Sequence, residues 1–328
     1  MPGWETAQLE RMGMGSGKPC SLPRWCVERL RPGASSISAS RRTDILAFYS
    51  AWFAGRLAAG YADYQVRGRV FRASLLAQDV THITFWTRWP APAYRLIEAL
   101  RARGWPLLFN VTITGLGGTD LEPHVPSSEK AVEAVRRLSD LGVPPAAIQW
   151  RFDPIVLSRW IRADERRRAF AELARQLRGW VDRVAVSFVE PYPRQVLPDL
   201  RRWEQESGDG MVWPTSDEQA ALAGELRSMA TSLGLPFTVC CSPLLRKMLG
   251  CPASGCNDFA WALRAYPELR DCPPLPRKPT RPDCACCQER DIGRYDTCLF
   301  GCRYCYATRN LALARRYFSR HDPGAASL

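Results

Sequence analysis

Three cysteines near the end of the chain have a spacing that suits iron–sulfur chemistry. Cys298, Cys302 and Cys305 form a C-x3-C-x2-C pattern, with the aromatic residue Tyr304 directly before the third cysteine. Three thiolates on one tight loop bind three irons of a [4Fe-4S] cluster, and the remaining iron stays open to a small chelating molecule. Structural zinc normally takes four protein ligands. The spacing therefore predicts a reactive cluster.

A second group of cysteines precedes this loop. It consists of Cys240, Cys241, Cys251, Cys256, Cys272, Cys284, Cys286 and Cys287. So many thiols in a short stretch are unusual for ordinary buried hydrophobic residues, and in a reducing compartment they are not expected to form disulfides. Some of them should bind metal. The residues alone leave three alternatives open: an auxiliary [4Fe-4S] cluster, a structural zinc site or reduced free thiols.

The composition is that of a soluble globular protein. The chain has 328 residues, of which 46% are hydrophobic and 24% charged, and this excludes a fibre or a largely disordered chain. No apolar stretch reaches the roughly 18 to 20 residues of a membrane span, and the first thirty residues lack the apolar block of a signal peptide. We therefore predict a cytoplasmic protein without a membrane partner.

The net charge of +12 permits an anionic substrate or nucleic acid. All but four of the 45 basic residues are arginine, and they are scattered over helix-like segments as well as loops. We interpret most of them as solvated helix faces.

Short β-type runs alternate with amphipathic runs along most of the chain. The predicted strands are 36–40, 81–87, 107–113, 148–152, 184–189 and 237–240. The predicted helices include 94–103, 129–141, 166–178 and a helix that begins with a capping box of Ser216 and Gln219 and stops at Gly234. The glycine-rich stretch 114–118 is followed by prolines, so it predicts a flexible turn and no phosphate-binding loop.

Strands that alternate with helices pair in parallel through right-handed crossovers. Polar residues follow the strand ends, and no glycine fingerprint opens a helix after the first strand, which favours a barrel over an open doubly wound sheet. We predict an α/β fold, a partial (β/α)6 TIM-like barrel of parallel strands with a C-terminal cysteine-rich iron–sulfur segment. The predicted divisions are a poorly ordered N-terminal extension (1–34), the barrel (35–240), the cysteine-rich segment that closes it (241–310) and a C-terminal helix and tail (311–328).

The three-cysteine motif resembles that of the radical S-adenosylmethionine (radical SAM) superfamily. Members of this superfamily commonly carry the motif near the amino end, whereas here it lies in the last thirty-odd residues. Four segments also resemble an uncharacterised bacterial family with this permuted order, called domain of unknown function eighteen-forty-eight. They are Ser38–Ile45, Phe85–Thr87, Trp150–Ile155 and Asp291–Tyr295, and the resemblance spans roughly residues 36–310.

The resemblance implies cofactors and chemistry but no substrate. It implies that SAM chelates the open iron of the cluster bound by Cys298, Cys302 and Cys305, and that one-electron reduction yields methionine and a 5′-deoxyadenosyl radical. Tyr304 fits the pattern of the motif. The resemblance also implies a one-electron donor such as flavodoxin or ferredoxin, and we expect a small-molecule or peptide substrate.

Residues of the predicted barrel mouth are the candidates for binding SAM or substrate. They are Asn110, Thr112, Arg151, Asp153 and Glu190, because carboxylates suit ribose hydroxyls and an arginine suits the methionine carboxylate. For Arg151 and Asp153, an internal salt bridge is the alternative. In the second cysteine group, the resemblance points most to Cys240, Cys256, Cys284 and Cys286.

Two other functions remain as alternatives. One is a basic, zinc-stapled protein that binds nucleic acid without redox chemistry, favoured by the charge and by the number of cysteines. The other is DNA repair of the photoproduct-lyase type, which uses the same radical and must bind a polyanion.

Overall fold

The computed structural model describes residues 22–279, 281 and 284–328. Its centre is a seven-stranded sheet in the order β8-β7-β6-β5-β4-β1-β9, and all of its hydrogen-bonded neighbours are parallel. The strands are β1 (Ser35–Ala39), β4 (Val80–Thr87), β5 (Leu107–Thr112), β6 (Ile148–Ile155), β7 (Arg183–Phe188), β8 (Phe237–Val239) and β9 (Glu289–Asp291). A separate antiparallel hairpin consists of β2 (Tyr61–Val66) and β3 (Arg69–Ser74).

Helices connect most of the strands. They are α1 (Ile45–Phe48), α2 (Ser50–Ala59), α3 (Tyr94–Arg101), α4 (Ser128–Asp140), α5 (Ala163–Leu177), α6 (Leu197–Ser207), α7 (Ser216–Ser232), α8 (Pro243–Met248), α9 (Phe259–Ala265) and α10 (Leu311–Ser319). The capping box of α7 is formed by Thr215 and Glu218. The predicted pair of Ser216 and Gln219 was wrong by one residue, because both positions offer a hydroxyl followed three residues later by a long polar side chain.

All six predicted strands are present and pair in parallel, so the α/β class is confirmed. The sheet is not closed, because β8 and β9 are its two edges. Sequence patterns missed β9, whose three residues are all charged. They also missed the hairpin, whose turn uses Arg67 and Gly68, both at positive φ, in place of a typical Asn-Gly pair.

The central strands are buried almost throughout, as expected for a parallel sheet covered on both faces. Trp105, Phe109 and Trp150 are fully buried in this core, and Trp150 stacks on Phe170 of α5 with ring centroids 5.0 Å apart. The tryptophans at these positions therefore serve the core. No helix in the described ranges is long and apolar enough to cross a membrane.

Part of the predicted N-terminal extension packs on this core. Leu22 and Trp25 are buried, and the Trp25 indole donates to the carbonyl of Val80 at 2.8 Å. Residues 1–21 of the predicted extension lie outside the described residues.

Candidate functional site

The three-cysteine loop (residues 298–305) lies against segments that follow the carboxyl ends of β1, β4 and β5. Its Phe300 carbonyl accepts from the amide of His124 at 3.2 Å, and its Arg303 amide donates to the carbonyl of Leu121 at 3.0 Å. The Phe300 ring is buried, 4.7 Å from the ring of Phe48 in α1. Backbone contacts at two points and a buried ring thus fix the loop in place.

The three predicted thiols come together in this loop. Burial raises the pKa of Cys298 well above its usual value, and the nearby charges of Cys305 and Cys302 raise it further. Burial also raises the pKa of Cys302 to about 12, although the guanidinium of Arg88 opposes this. The Cys305 sulfur accepts from the amide of Ala307 at 3.4 Å. These half-buried thiols favour the neutral form, and binding of a metal cation would favour their thiolates.

A buried ion pair supports the loop beside Cys302. The Arg88 guanidinium lies 2.9 Å from the Glu122 carboxylate and donates to the Tyr304 hydroxyl at 2.7 Å. Tyr304 in turn donates to Glu122, which also accepts from the Thr114 hydroxyl at 2.6 Å. The motif aromatic Tyr304 is therefore a buried member of this network.

The glycine-rich stretch has a different role from the predicted flexible turn. It brings Glu122 back against the loop, and a Cβ at Gly117 would come within 2.0 Å of the Pro126 carbonyl oxygen. Leu116 and Leu121 are both buried there. The turn is tightly packed because its backbone passes close to the Pro126 carbonyl, and this path places the Glu122 carboxylate next to Arg88.

Five thiols of the second cysteine group form a closed ring, which we call the five-cysteine ring: Cys240, Cys241, Cys284, Cys286 and Cys256. The sulfurs of Cys240 and Cys241 are 3.7 Å apart, as are those of Cys256 and Cys286. Cys256 also lies next to Cys240, and Cys284 lies next to Cys241 and to Cys286, whose amide donates to the Cys284 sulfur at 3.4 Å. The four predicted ligands are thus brought together, and Cys241 joins them.

Two arginines face this ring. Arg41 donates to the Cys286 sulfur at 3.4 Å, and Arg151 lies 3.9 Å from the Cys240 sulfur. Hydrogen bonds from Cys240 and Cys286 lower the pKa of Cys256 well below its usual value against the effect of burial, and the two guanidinium charges lower it further. The pKa of Cys284 is lowered as well, whereas those of Cys240, Cys241 and Cys286 are raised, so only two of the five ring sulfurs favour the thiolate.

Each of these arginines also has a carboxylate partner. Arg41 is paired with Glu289, and Arg151 with Asp153, which accepts a further bond from Ser187. The internal salt bridge weighed for Arg151 and Asp153 is present, and it lies beside the five-cysteine ring.

A buried polar network holds the Cys256 segment under the ring. Asn110 donates to the Cys256 carbonyl at 2.8 Å and accepts from Gln149 at 2.9 Å. Asn257 donates to Ser36 at 2.9 Å and to Glu289 at 2.6 Å, and accepts from His82 at 2.8 Å. Asn110 is therefore fully engaged in positioning Cys256, and Asn257, which sequence patterns missed, shares that task.

The remaining predicted residues lie elsewhere at the same edge. Thr112 is half-buried at the end of β5, opposite Arg151 of β6. Glu190 is exposed and lines a cavity of about 190 Å³ with Ser187, Ser242 and Trp213. Three of the predicted mouth residues, Asn110, Arg151 and Asp153, thus lie by the ring, while Thr112 pairs with Arg151 and Glu190 lines this cavity.

Tyr306 connects the two cysteine groups. It directly follows Cys305, and its hydroxyl donates to the Arg41 carbonyl at 3.3 Å. Arg41 in turn contacts Cys286 in the ring. Sequence patterns gave no signal for Tyr306, because the contact depends on how the two segments meet.

The candidate metal ligands of both groups are cysteines. In the described part of the chain, no group of three or more His, Cys, Asp or Glu side chains is arranged around a single metal ion. A [4Fe-4S] cluster spreads its thiolates over separate irons, so it requires cysteines gathered around a larger volume. Sulfur-only donors in two groups suit this cofactor.

Comparison with known proteins yields one finding. The family model described as Domain of unknown function (DUF1848) matches residues 36–307. No match was found among the curated proteins or among the solved structures.

Proposed function

This chain belongs to the family Domain of unknown function (DUF1848), and we propose that it is a radical SAM enzyme with two iron–sulfur clusters. The observation that carries the proposal is the convergence of Cys298, Cys302 and Cys305 in one half-buried loop at the carboxyl edge of the sheet. In this proposal the edge is the mouth of a partial barrel, where α/β folds bind their ligands. When bound, the first cluster supplies the electron that cleaves SAM to methionine and a 5′-deoxyadenosyl radical.

The chain's own residues prepare the first site. Three cysteines leave one iron of a cube without a protein ligand, as a chelating cosubstrate requires. The three cysteines are half-buried, which limits the access of water to a reactive intermediate. The Arg88–Glu122–Tyr304 network holds the loop, and the Arg88 guanidinium favours the thiolate of Cys302.

The five-cysteine ring supports an auxiliary cluster. In this proposal Cys240, Cys256, Cys284 and Cys286 are the ligands, and the polar network around Asn110 and Asn257 orients Cys256. Hydrogen-bond donors and cations next to cysteine sulfurs are a common means of tuning such clusters. Structural zinc remains the competing occupant.

The substrate chamber in this proposal is the space between the two cysteine groups. Tyr306 and Tyr192 lie there with ring centroids 6.4 Å apart, and Arg281 lies 5.2 Å from the Tyr306 ring. Aromatic rings and a guanidinium suit a small molecule or a peptide with an anionic group.

Anaerobic reconstitution tests the proposal. Iron and sulfide are counted, dithionite and SAM are added, and 5′-deoxyadenosine is sought by mass spectrometry. About eight irons per chain together with deoxyadenosine would support the proposed enzyme.

Metal content also separates the alternatives. Zinc without iron and without deoxyadenosine would overturn the proposal in favour of a zinc-stapled binding protein. Salt-dependent binding of duplex DNA by an iron-loaded, SAM-cleaving protein would instead favour repair of DNA as the reaction.

A further inference from the structure

The Arg41 guanidinium lies in direct contact with the five-cysteine ring. It donates to the Cys286 sulfur at 3.4 Å and forms a paired contact with Glu289, and it lies 4.6 Å from the centre of the Trp86 ring. The Arg41 side chain is 15% exposed and that of Glu289 is 7% exposed. Little solvent is present to screen this charge.

The same residue also reaches the three-cysteine loop. Its carbonyl accepts from the Tyr306 hydroxyl, and Tyr306 follows Cys305 directly. The peptide bond from Cys305 to Tyr306, the Tyr306 side chain, the Arg41 residue and two hydrogen bonds thus connect Cys305 to Cys286. Arg41 therefore contacts a cysteine of the ring and the residue that directly follows the three-cysteine loop.

We propose that Arg41 sets the reduction potential of the cluster in the five-cysteine ring. This inference rests on the proposed function, because it requires iron at the ring. A nearby cation and a hydrogen bond to a ligand sulfur stabilise the more negative, reduced state of a cluster, and so they raise its potential. The negative charge of Glu289 opposes this effect. The potential therefore lies between the value expected with the Arg41 charge alone and the value expected with the Glu289 charge alone. Arg41 is a positioning and tuning residue and not a ligand.

The test uses full-length protein carrying Cys298→Ala, which removes a ligand of the first cluster so that the ring's signal is read alone. Dithionite, a one-electron reductant, is titrated and the midpoint potential is followed by electron paramagnetic resonance. Arg41→Gln should make the reduced cluster at least tenfold scarcer at a fixed potential, equivalent to a midpoint about 59 mV more negative. Arg41→Lys, which keeps the charge, should restore part of the shift.

Two further variants guard against a merely structural effect. Glu289→Gln should shift the midpoint in the opposite direction, because it leaves the guanidinium charge uncompensated. The matched control is Arg42→Gln, because Arg42 pairs with Asp291 and donates to the Gln65 carbonyl. This substitution should leave the midpoint potential unchanged.

The outcomes separate this inference from the proposed function. A ring that retains iron but keeps its midpoint in both Arg41→Gln and Glu289→Gln overturns the tuning role alone. Iron-free protein, or zinc at the ring, overturns the auxiliary cluster and the tuning role together. Shifts of the same sign in both variants also contradict the inference, because charge tuning demands opposite signs.

Discussion

The three-cysteine loop and the five-cysteine ring differ in the pKa values of their thiols and in the number of ligands that they offer. In the three-cysteine loop, burial raises the pKa values of all three thiols, and the nearest guanidinium is tied to Glu122 and Tyr304. In the five-cysteine ring the pKa values are split: neighbouring thiols lower those of Cys256 and Cys284, and two guanidinium groups lower that of Cys256 further. The pKa values of Cys240, Cys241 and Cys286 are raised. The loop offers too few ligands to saturate a cluster, whereas the ring offers more than enough. This contrast suits an open, reactive cluster at the loop and a closed one at the ring.

The largest expected effect concerns the loop. Replacing Cys298 with Ala should abolish formation of 5′-deoxyadenosine and lower the iron content by about half, because two remaining thiolates do not hold the first cluster. The measurement is product detection by mass spectrometry together with iron counting. Cys251→Ala is the matched control, since Cys251 belongs to neither the three-cysteine loop nor the five-cysteine ring and is buried beside α8. Persistent SAM cleavage in the Cys298 variant would show that the loop is not the reactive site.

Loss of a ring ligand should have an intermediate effect. Cys256→Ala should lower the iron content by about half without removing the first cluster, because its sulfur is one of four ligands. Cys241→Ala should retain the iron, since four thiols of the ring remain. Counting the iron in both variants shows whether each of these cysteines is a ligand. Equal iron loss in the two variants would make Cys241 a ligand and would revise the ligand set.

A stability test sharpens the comparison at the loop. Glu122→Gln leaves the buried Arg88 guanidinium without its countercharge, and breaking a buried ion pair costs about 3 to 5 kcal/mol. We expect this decrease in the free energy of unfolding from denaturant titration. Glu225→Gln, which breaks the half-exposed pair with Arg167, should cost less than about 1 kcal/mol. Similar costs at the two positions would contradict the role of the buried network.

The smallest expected effect is a pH dependence beneath the ring. Burial lowers the pKa of His82 to about 4, despite its bond to Asn257. Between pH 6.5 and 4 the unfolded chain therefore binds a proton that the folded chain does not. The free energy of unfolding decreases by at most about 3 kcal/mol as the pH is lowered through this range. His82→Gln should flatten this part of the curve of unfolding free energy against pH. Parallel curves for the variant and the unaltered protein would exclude His82 as the titrating group.

Much of the fold could be predicted from the sequence because its signals are local. The runs that became β4, β5 and β6 are apolar stretches bounded by helices with clear ends, and their parallel pairing follows from this alternation. The hairpin and β9 were missed because their turn and their charged residues carry none of the usual signals. The capping box of α7 was displaced by one residue because two adjacent positions fit the pattern.

The candidate site was predicted in part. The spacing of Cys298, Cys302 and Cys305 is a local property, so these three could be named from the sequence. Arg88 and Glu122 could not, because they come from two separate segments that meet only on folding. Asn110 and Arg151 were placed at the correct edge, but their contacts with the Cys256 segment and with Cys240 depend on the position of a segment more than eighty residues away.

The sequence by itself determined the alternation of strands and helices and the number and spacing of the thiols, because composition and short-range spacing carry that information. Only the tertiary structure decided that Cys241 joins the ring, that Arg41 and Arg151 face its sulfurs and that Tyr306 links the two groups. These contacts join residues far apart in the chain, and their energies arise from burial, charge and distance, which exist only once the chain has folded.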